Sequence, residues 1–141
     1  LTRFRARNLG IVFQQFHLFQ YLTALENVML PLNLKNDLRA KEKAEEALRL
    51  VGLSHRAQHL PSQMSGGENQ RVAIARAFVT QPQILLADEP SGSLDQNSGD
   101  SVMDLIFELV KSHQMTLILI THNPELAARC SHVFDFKQAA Q

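Results

Sequence analysis

Cysteine is almost absent: Cys130 is the only one, so the chain holds no internal disulfide, and a lone thiol suits a reducing compartment. Excess charge of either sign is missing too, with 14 Lys+Arg against 14 Asp+Glu. That balance gives no broad electrostatic grip on nucleic acid or on an anionic membrane surface. Long apolar runs are lacking: Ile84–Ala87 and Leu117–Ile120 last four residues each, against about 20 for a membrane-spanning helix. The first residues show no charged-then-apolar leader, and no initiator Met precedes Leu1. There is no low-complexity tract, internal repeat or heptad run. What is present is 141 residues, 45% of them hydrophobic, enough for one compact domain with a real core.

Gly10-Ile11-Val12-Phe13 is a short β-branched and aromatic run, expected as a buried strand ending at Gln14-Gln15, with Arg3, Arg5 and Arg7 as a solvated lead-in. From Phe16 to Leu60 the chain reads as mostly helical. Thr23 and Glu26 have capping-box spacing, and Pro31 is expected to break or bend the chain after it. A helix over about 38–51 carries Ala44, Ala47, Leu48 and Val51 on one stripe, with Lys41, Glu42, Glu45 and Glu46 toward solvent and Gly52 as its cap. A helix over about 68–80 is apolar almost all round and must be buried. Ile84–Ala87 is expected as a parallel strand covered on both faces, followed by a helix over about 98–113 and a second buried strand at 116–120. Asn123-Pro124-Glu125 opens a short helix, and 132–136 is a candidate last strand. Strands alternating with helices predict an α/β fold with a parallel sheet.

Three places carry chemistry. Asp88 and Glu89 come directly after a buried strand, at the strand end where parallel sheets bind ligands. A carboxylate there can hold Mg²⁺ through a water, and its neighbour can orient or deprotonate an attacking water. Acids in this position also serve as ordinary helix caps. Pro90 is expected to keep Glu89 extended. Ser65-Gly66-Gly67 before a helix suits an anion, through exposed N–H groups and the serine hydroxyl, although a plain loop has the same composition. His122 comes after the strand at 116–120 and can contact a phosphate or stand as a satisfied strand-end histidine. His55 and His59 have the spacing of two metal ligands but no third ligand nearby, so they read as surface histidines. Phe13, Phe16, Phe19 and Tyr21 read as core rather than as a base-stacking platform.

In order, the chain carries Gly-Ile-Val-Phe-Gln at 10–14, Met-Ser-Gly-Gly-Glu-Asn-Gln-Arg at 64–71, Leu-Leu-Ala-Asp-Glu-Pro at 85–90, Ser-Gly-Ser-Leu-Asp at 91–95 and Ile-Thr-His-Asn at 120–123. This set resembles the nucleotide-binding domain of ABC-type ATPases over nearly the whole chain. Thr23-Ala24-Leu25-Glu26-Asn27-Val28 is similar to the lipoprotein-release and macrolide-export branch. The resemblance implies a P-loop NTPase (RecA-like) core with an inserted helical subdomain: 1–15 as core strand and Q-loop, 16–77 as helical subdomain, 78–141 as core. It implies ATP and Mg²⁺ as cofactors. Gln14 becomes the Q-loop glutamine near Mg²⁺ and the membrane subunit. Ser65, Gly66, Gly67 and Glu68 form the signature loop, which reaches the γ-phosphate held by the opposite subunit. Asp88 becomes the Walker B carboxylate, acting on Mg²⁺ through water, and Glu89 the general base. Ser91, Gly92, Ser93, Leu94 and Asp95 become the D-loop at the dimer interface, and His122 the switch histidine. The implied partners are a second ATP-binding subunit, head to tail, and integral membrane subunits docking on the Q-loop and helical subdomain, with Phe13, Phe16, Phe19 and Tyr21 in the docking groove. The implied location is peripheral, on the cytoplasmic face of the inner membrane, and no nucleic acid is expected.

Met64 for Leu, Glu68 for Gln and Asn123 for Asp depart from the common pattern without harming it. The larger departure is that no lysine comes directly after a glycine, so the Gly-x-x-x-x-Gly-Lys-[Ser/Thr] phosphate loop is not among these residues. That loop, its strand and the adenine-stacking aromatic are expected upstream of Leu1. The expectation is an ABC transporter ATPase whose 141-residue part is inactive, poorly stable and aggregation-prone alone. The alternatives are a truncated non-catalytic remnant or a non-transport ABC ATPase.

Overall fold

The computed structural model describes residues 8–136; Arg3, Arg5, Arg7 and the last five residues lie outside them. Three parallel strands, β1 (Leu9–Val12), β2 (Ile84–Asp88) and β3 (Thr116–Ile120), form one sheet in the order β1-β2-β3. Between β1 and β2 run three helices, α1 (Ala24–Asn33), α2 (Ala40–Leu50) and α3 (Gly66–Phe78), and α4 (Gln96–Ser112) crosses from β2 to β3. A short α5 (Pro124–Ala128) comes last. No helix among the described residues is long and apolar enough to cross a membrane.

Local signals set most of these boundaries. Thr23 and Glu26 form the expected capping box at the start of α1: the Glu26 N–H donates to Thr23 Oγ1 at 3.1 Å and the Thr23 N–H to Glu26 Oε2 at 2.7 Å. Asn123 caps α5 by accepting from the Glu125 N–H at 2.9 Å, with Pro124 at its first position. Gly52 closes α2 at φ +75°, a left-handed conformation that favours glycine. On α2, Ala44, Ala47 and Leu48 are buried with Val51, as its stripe predicts.

α3 is the central element. It packs on α1, α2, β1 and α4, and Val72–Ala75, Ala77 and Phe78 all belong to the core. Its approach to β1 is so close that a Cβ at Gly10 would collide with the Ala77 carbonyl oxygen. Leu85 and Ala87 on β2, and Val102, Met103, Ile106 and Leu109 on α4, complete the same core.

Four expectations fail here, each because a neighbour, or its absence, outweighs local preference. Pro31 does not break the chain at once: α1 runs through it and stops two residues on, at Asn33, because Leu25, Val28 and Leu32 are buried against α2 and α3. β2 is covered on one face only, and β3 is a half-exposed edge strand rather than a buried one. Ile11, Ile118 and Ile120 lie on the open face, 37–49% exposed, since no described element lies over them. Residues 132–136 form no strand; Val133, Phe134 and Phe136 stand exposed, and β propensity without a pairing partner makes no ladder. Phe13, Phe19 and Tyr21 are exposed and not core, while Phe16 is half-buried against it.

Candidate functional site

The sheet register pairs Val12 with Ala87, Ala87 with Leu119, and Asp88 with Ile120. Gln14, Asp88-Glu89 and His122 therefore leave the sheet at one edge, the carboxyl ends of three adjacent strands, as the motif spacing requires. Glu89 continues the ladder by donating its N–H to the Ile120 carbonyl at 2.9 Å. Its Oε1 accepts from the His122 N–H at 2.7 Å and lies 3.6 Å from His122 Nε2. The carboxylate is sheltered while the imidazole stands in solvent, free to turn toward an incoming group. Glu89 is not extended as Pro90 suggests; it sits at φ +44°. The bond to Ile120, together with a turn in which the Gly92 N–H donates to the Glu89 carbonyl at 3.0 Å, fixes it in that less populated region.

The turn after Glu89 interlocks with the end of β1. The Ser93 hydroxyl donates to the Gln14 carbonyl at 3.0 Å, and a Cβ at Gly92 would lie 2.9 Å from Gln14 Nε2, so that glycine leaves room for the amide. Leu94 comes next within the turn, and Asp95 caps α4 by accepting from the Ser98 N–H at 3.1 Å. Hydrogen bonds from Ser98 hold the Asp95 carboxyl below its ordinary pKa.

Ser65 is the N-cap of α3, which starts at Gly66, two residues ahead of the helix start that the sequence suggests. Its Oγ accepts from the Glu68 N–H at 3.2 Å. The N–H groups of Gly66 and Gly67, in the first turn, have no acceptor inside the helix. Together these donors and the helix dipole make an anion-binding end. Glu68 closes the capping box by accepting from the Ser65 N–H at 3.2 Å, and the Arg56 Nε donates to its other oxygen at 2.6 Å. Burial alone would raise the Glu68 pKa, but hydrogen bonds from the Ser65 backbone, Arg56 and the Ser65 hydroxyl outweigh it and lower it. Within this chain the loop packs on Leu94, Phe16 and Ser98 rather than on the Glu89–His122 pair.

Two polar residues to which the sequence reading gives no role also reach this region. Gln70, fully buried on α3, donates from Nε2 to the Phe13 carbonyl at 2.9 Å and the Pro90 carbonyl at 2.5 Å. Arg76, two turns on, donates to the Phe16 and His17 carbonyls at 3.1 and 2.8 Å. Their one signal in the sequence is that they are polar positions on a helix read as buried, since buried polar groups must find partners. His55 and His59 join no metal-binding cluster among the described residues. An open groove of about 660 Å³, lined by Phe107, Val110, Lys111, Gln114, Met115 and Arg129, lies at the amino end of β3, away from the strand-end cluster.

The sequence profile of the ABC transporter family matches residues 2–92. The uncharacterized ABC transporter ATP-binding protein YbbA of Escherichia coli K12 is 50% identical over 131 residues, 92% of this chain and 58% of that protein. The lipoprotein-releasing system ATP-binding protein LolD of Treponema pallidum is 44% identical, over 99% of this chain and 63% of that protein. Among solved structures, the dimeric bacterial ABC transporter cassette MJ0796 is 42% identical with a TM-score of 0.77, covering 90% of this chain and 57% of that one. The same cassette in a post-hydrolysis state bound to ADP and Pi superposes with a TM-score of 0.75. The chain thus spans about three fifths of the length of the curated relatives it matches. With the motifs of that family in order and three of them meeting at the strand ends of the same fold, the chain belongs to the ABC transporter family.

Proposed function

We propose that this chain is the Q-loop-to-switch-histidine part of an ABC transporter ATP-binding subunit of the lipoprotein-release or macrolide-export kind, peripheral on the cytoplasmic face of the inner membrane. In this reading residues 16–77 form the helical subdomain, and the rest of the chain is core. The observation that supports it is the sheltered Glu89 carboxylate at the strand ends, beside Asp88 and in contact with His122. The donor set suits a nucleotide with Mg²⁺: the Asp88 carboxylate and the Gln14 amide oxygen are hard oxygen ligands, the former acting through water. Mg²⁺, when bound, supplies the charge that offsets the phosphate oxygens.

The chain's own residues then divide the work. Glu89 accepts the proton of the attacking water, with its carboxylate oriented by the His122 N–H. His122, whose ring stands in solvent, would donate to the γ-phosphate of a bound nucleotide. The Ser65 hydroxyl and the N–H groups of Gly66 and Gly67 serve a phosphate held by a second subunit. That role agrees with the loop's outward donors and its lack of contact with Glu89. Ser91–Asp95 lies in the interface of a head-to-tail pair. Phe13, Phe19 and Tyr21, all exposed, offer aromatic anchors to a helix of the membrane partner. Glu89→Gln tests this in the full-length protein. Turnover should fall by about 10²–10⁴-fold while ATP binding persists and the dimer stays closed, as read by size-exclusion chromatography with ATP. Unchanged turnover would remove Glu89 from the role of base.

A further inference from the structure

We propose that Gln70 and Arg76 are positioning residues that clamp the loop at 13–17 to helix α3, whose start the Ser65–Gly67 loop forms, with Gln70 also tying in the turn after Glu89. This rests on the nucleotide-site reading of those three segments. Gln70 lies 57 residues from Phe13 and 20 from Pro90 in sequence, yet one amide nitrogen bridges both carbonyls. Both neighbours are acceptors, so the side chain must present its NH₂ to them. Its own oxygen, Oε1, is buried and has no partner among the described residues.

A side chain kept only to fill space would be apolar here, since an orphaned buried oxygen destabilises. Its retained use is the bridge. Arg76 repeats the pattern with its forked guanidinium on two successive carbonyls, Phe16 and His17. It is half-buried and has no carboxylate partner among the described residues, and burial lowers its pKa. A cation placed there without an anion is held by backbone dipoles alone, which fixes the loop rather than a charge pair. Further contacts close the unit: Ser93 to the Gln14 carbonyl, and Leu94 against Gly66.

The test uses the full-length protein, with backbone amide order parameters from NMR relaxation and steady-state ATP hydrolysis as readouts. Gln70→Met keeps the volume and removes the donor. Order parameters at 13–17 and 91–94 should fall together, from about 0.85 to below about 0.6, while α2 and α4 stay rigid. Turnover should drop roughly 10- to 100-fold with KM for ATP within about twofold, because positioning and not binding is lost. Arg76→Lys keeps the charge but not the fork, and should loosen 13–17 alone; it also serves if the Met variant does not fold. Loosening spread over the whole molecule, or unchanged order in both loops, would overturn the clamp. A wild-type protein without ATPase activity but with the paired loosening would sink the nucleotide reading and leave the clamp standing.

Discussion

At the scale of single residues, Glu68 shows how a motif position is held by chemistry outside the motif. Its carboxyl pKa lies below the ordinary 4.5 of glutamate, so the unfolded chain binds the proton more readily than the folded one. The resulting stabilisation is present above that ordinary value and is lost as pH falls through the lowered one. Glu68→Gln keeps the capping box, since glutamine serves there too, but gives up the Arg56 ion pair. It should cost about 0.5–1.5 kcal/mol at neutral pH and flatten the acid limb of a pH–stability curve taken by urea titration. The sequence shows the Ser65–Glu68 spacing. It does not show Arg56, because an ion pair between a 3₁₀ turn and a helix depends on how the two are docked.

At the scale of elements, α1 is fastened to the loop before it by one buried carboxamide. Asn27 Oδ1 accepts from the Phe19 N–H at 2.8 Å, and its Nδ2 is shared among the carbonyls of Phe19, Leu22 and Thr23. The Thr23–Val28 hexapeptide that marks the branch resemblance is therefore a folding unit: a cap, its return partner and an anchor. Asn27→Leu should cost about 1–3 kcal/mol in urea denaturation and open the chain to proteolysis near Tyr21. Thr23→Ala should cost about 1 kcal/mol without freeing that loop. Where β1 meets α3, Gly10→Ala should destabilise by about 1–3 kcal/mol, because the added methyl meets backbone rather than a movable side chain. Caps are legible in sequence because they act over three residues. The β1–α3 approach is not, since it joins positions 10 and 77.

At the scale of the whole molecule, the sheet presents Ile11, Ile118 and Ile120 on a face that no described element covers. Contiguous apolar surface of this kind binds dyes and promotes association. The 141-residue chain alone should enhance ANS fluorescence and aggregate, and Ile118→Lys should lower both while changing a urea midpoint little. An unmodified chain that melts cooperatively, stays monomeric and leaves the dye dark would refute this. The alternation of strand and helix announces a parallel sheet, but apolar runs in the sequence look alike whether one face or two are covered, so the open face is invisible there.

The sequence by itself determined the types of the elements that form, the capping residues Thr23 and Asn123, and the order of motifs that places acids and a histidine after strands. These arise from interactions across a few residues, which any fold containing them must satisfy. Tertiary structure decided what depends on distant neighbours. α1 runs through Pro31 because its apolar face is buried against α2 and α3. Residues 132–136 stay out of the sheet for want of a partner. Glu89 holds a left-handed backbone between Ile120 and Gly92, and Gln70 and Arg76 reach across 20 to 60 residues to the carbonyls around the site. A hydrogen bond to a backbone carbonyl leaves no trace in the identity of the residue that accepts it, and that is why those contacts could be read only from the folded chain.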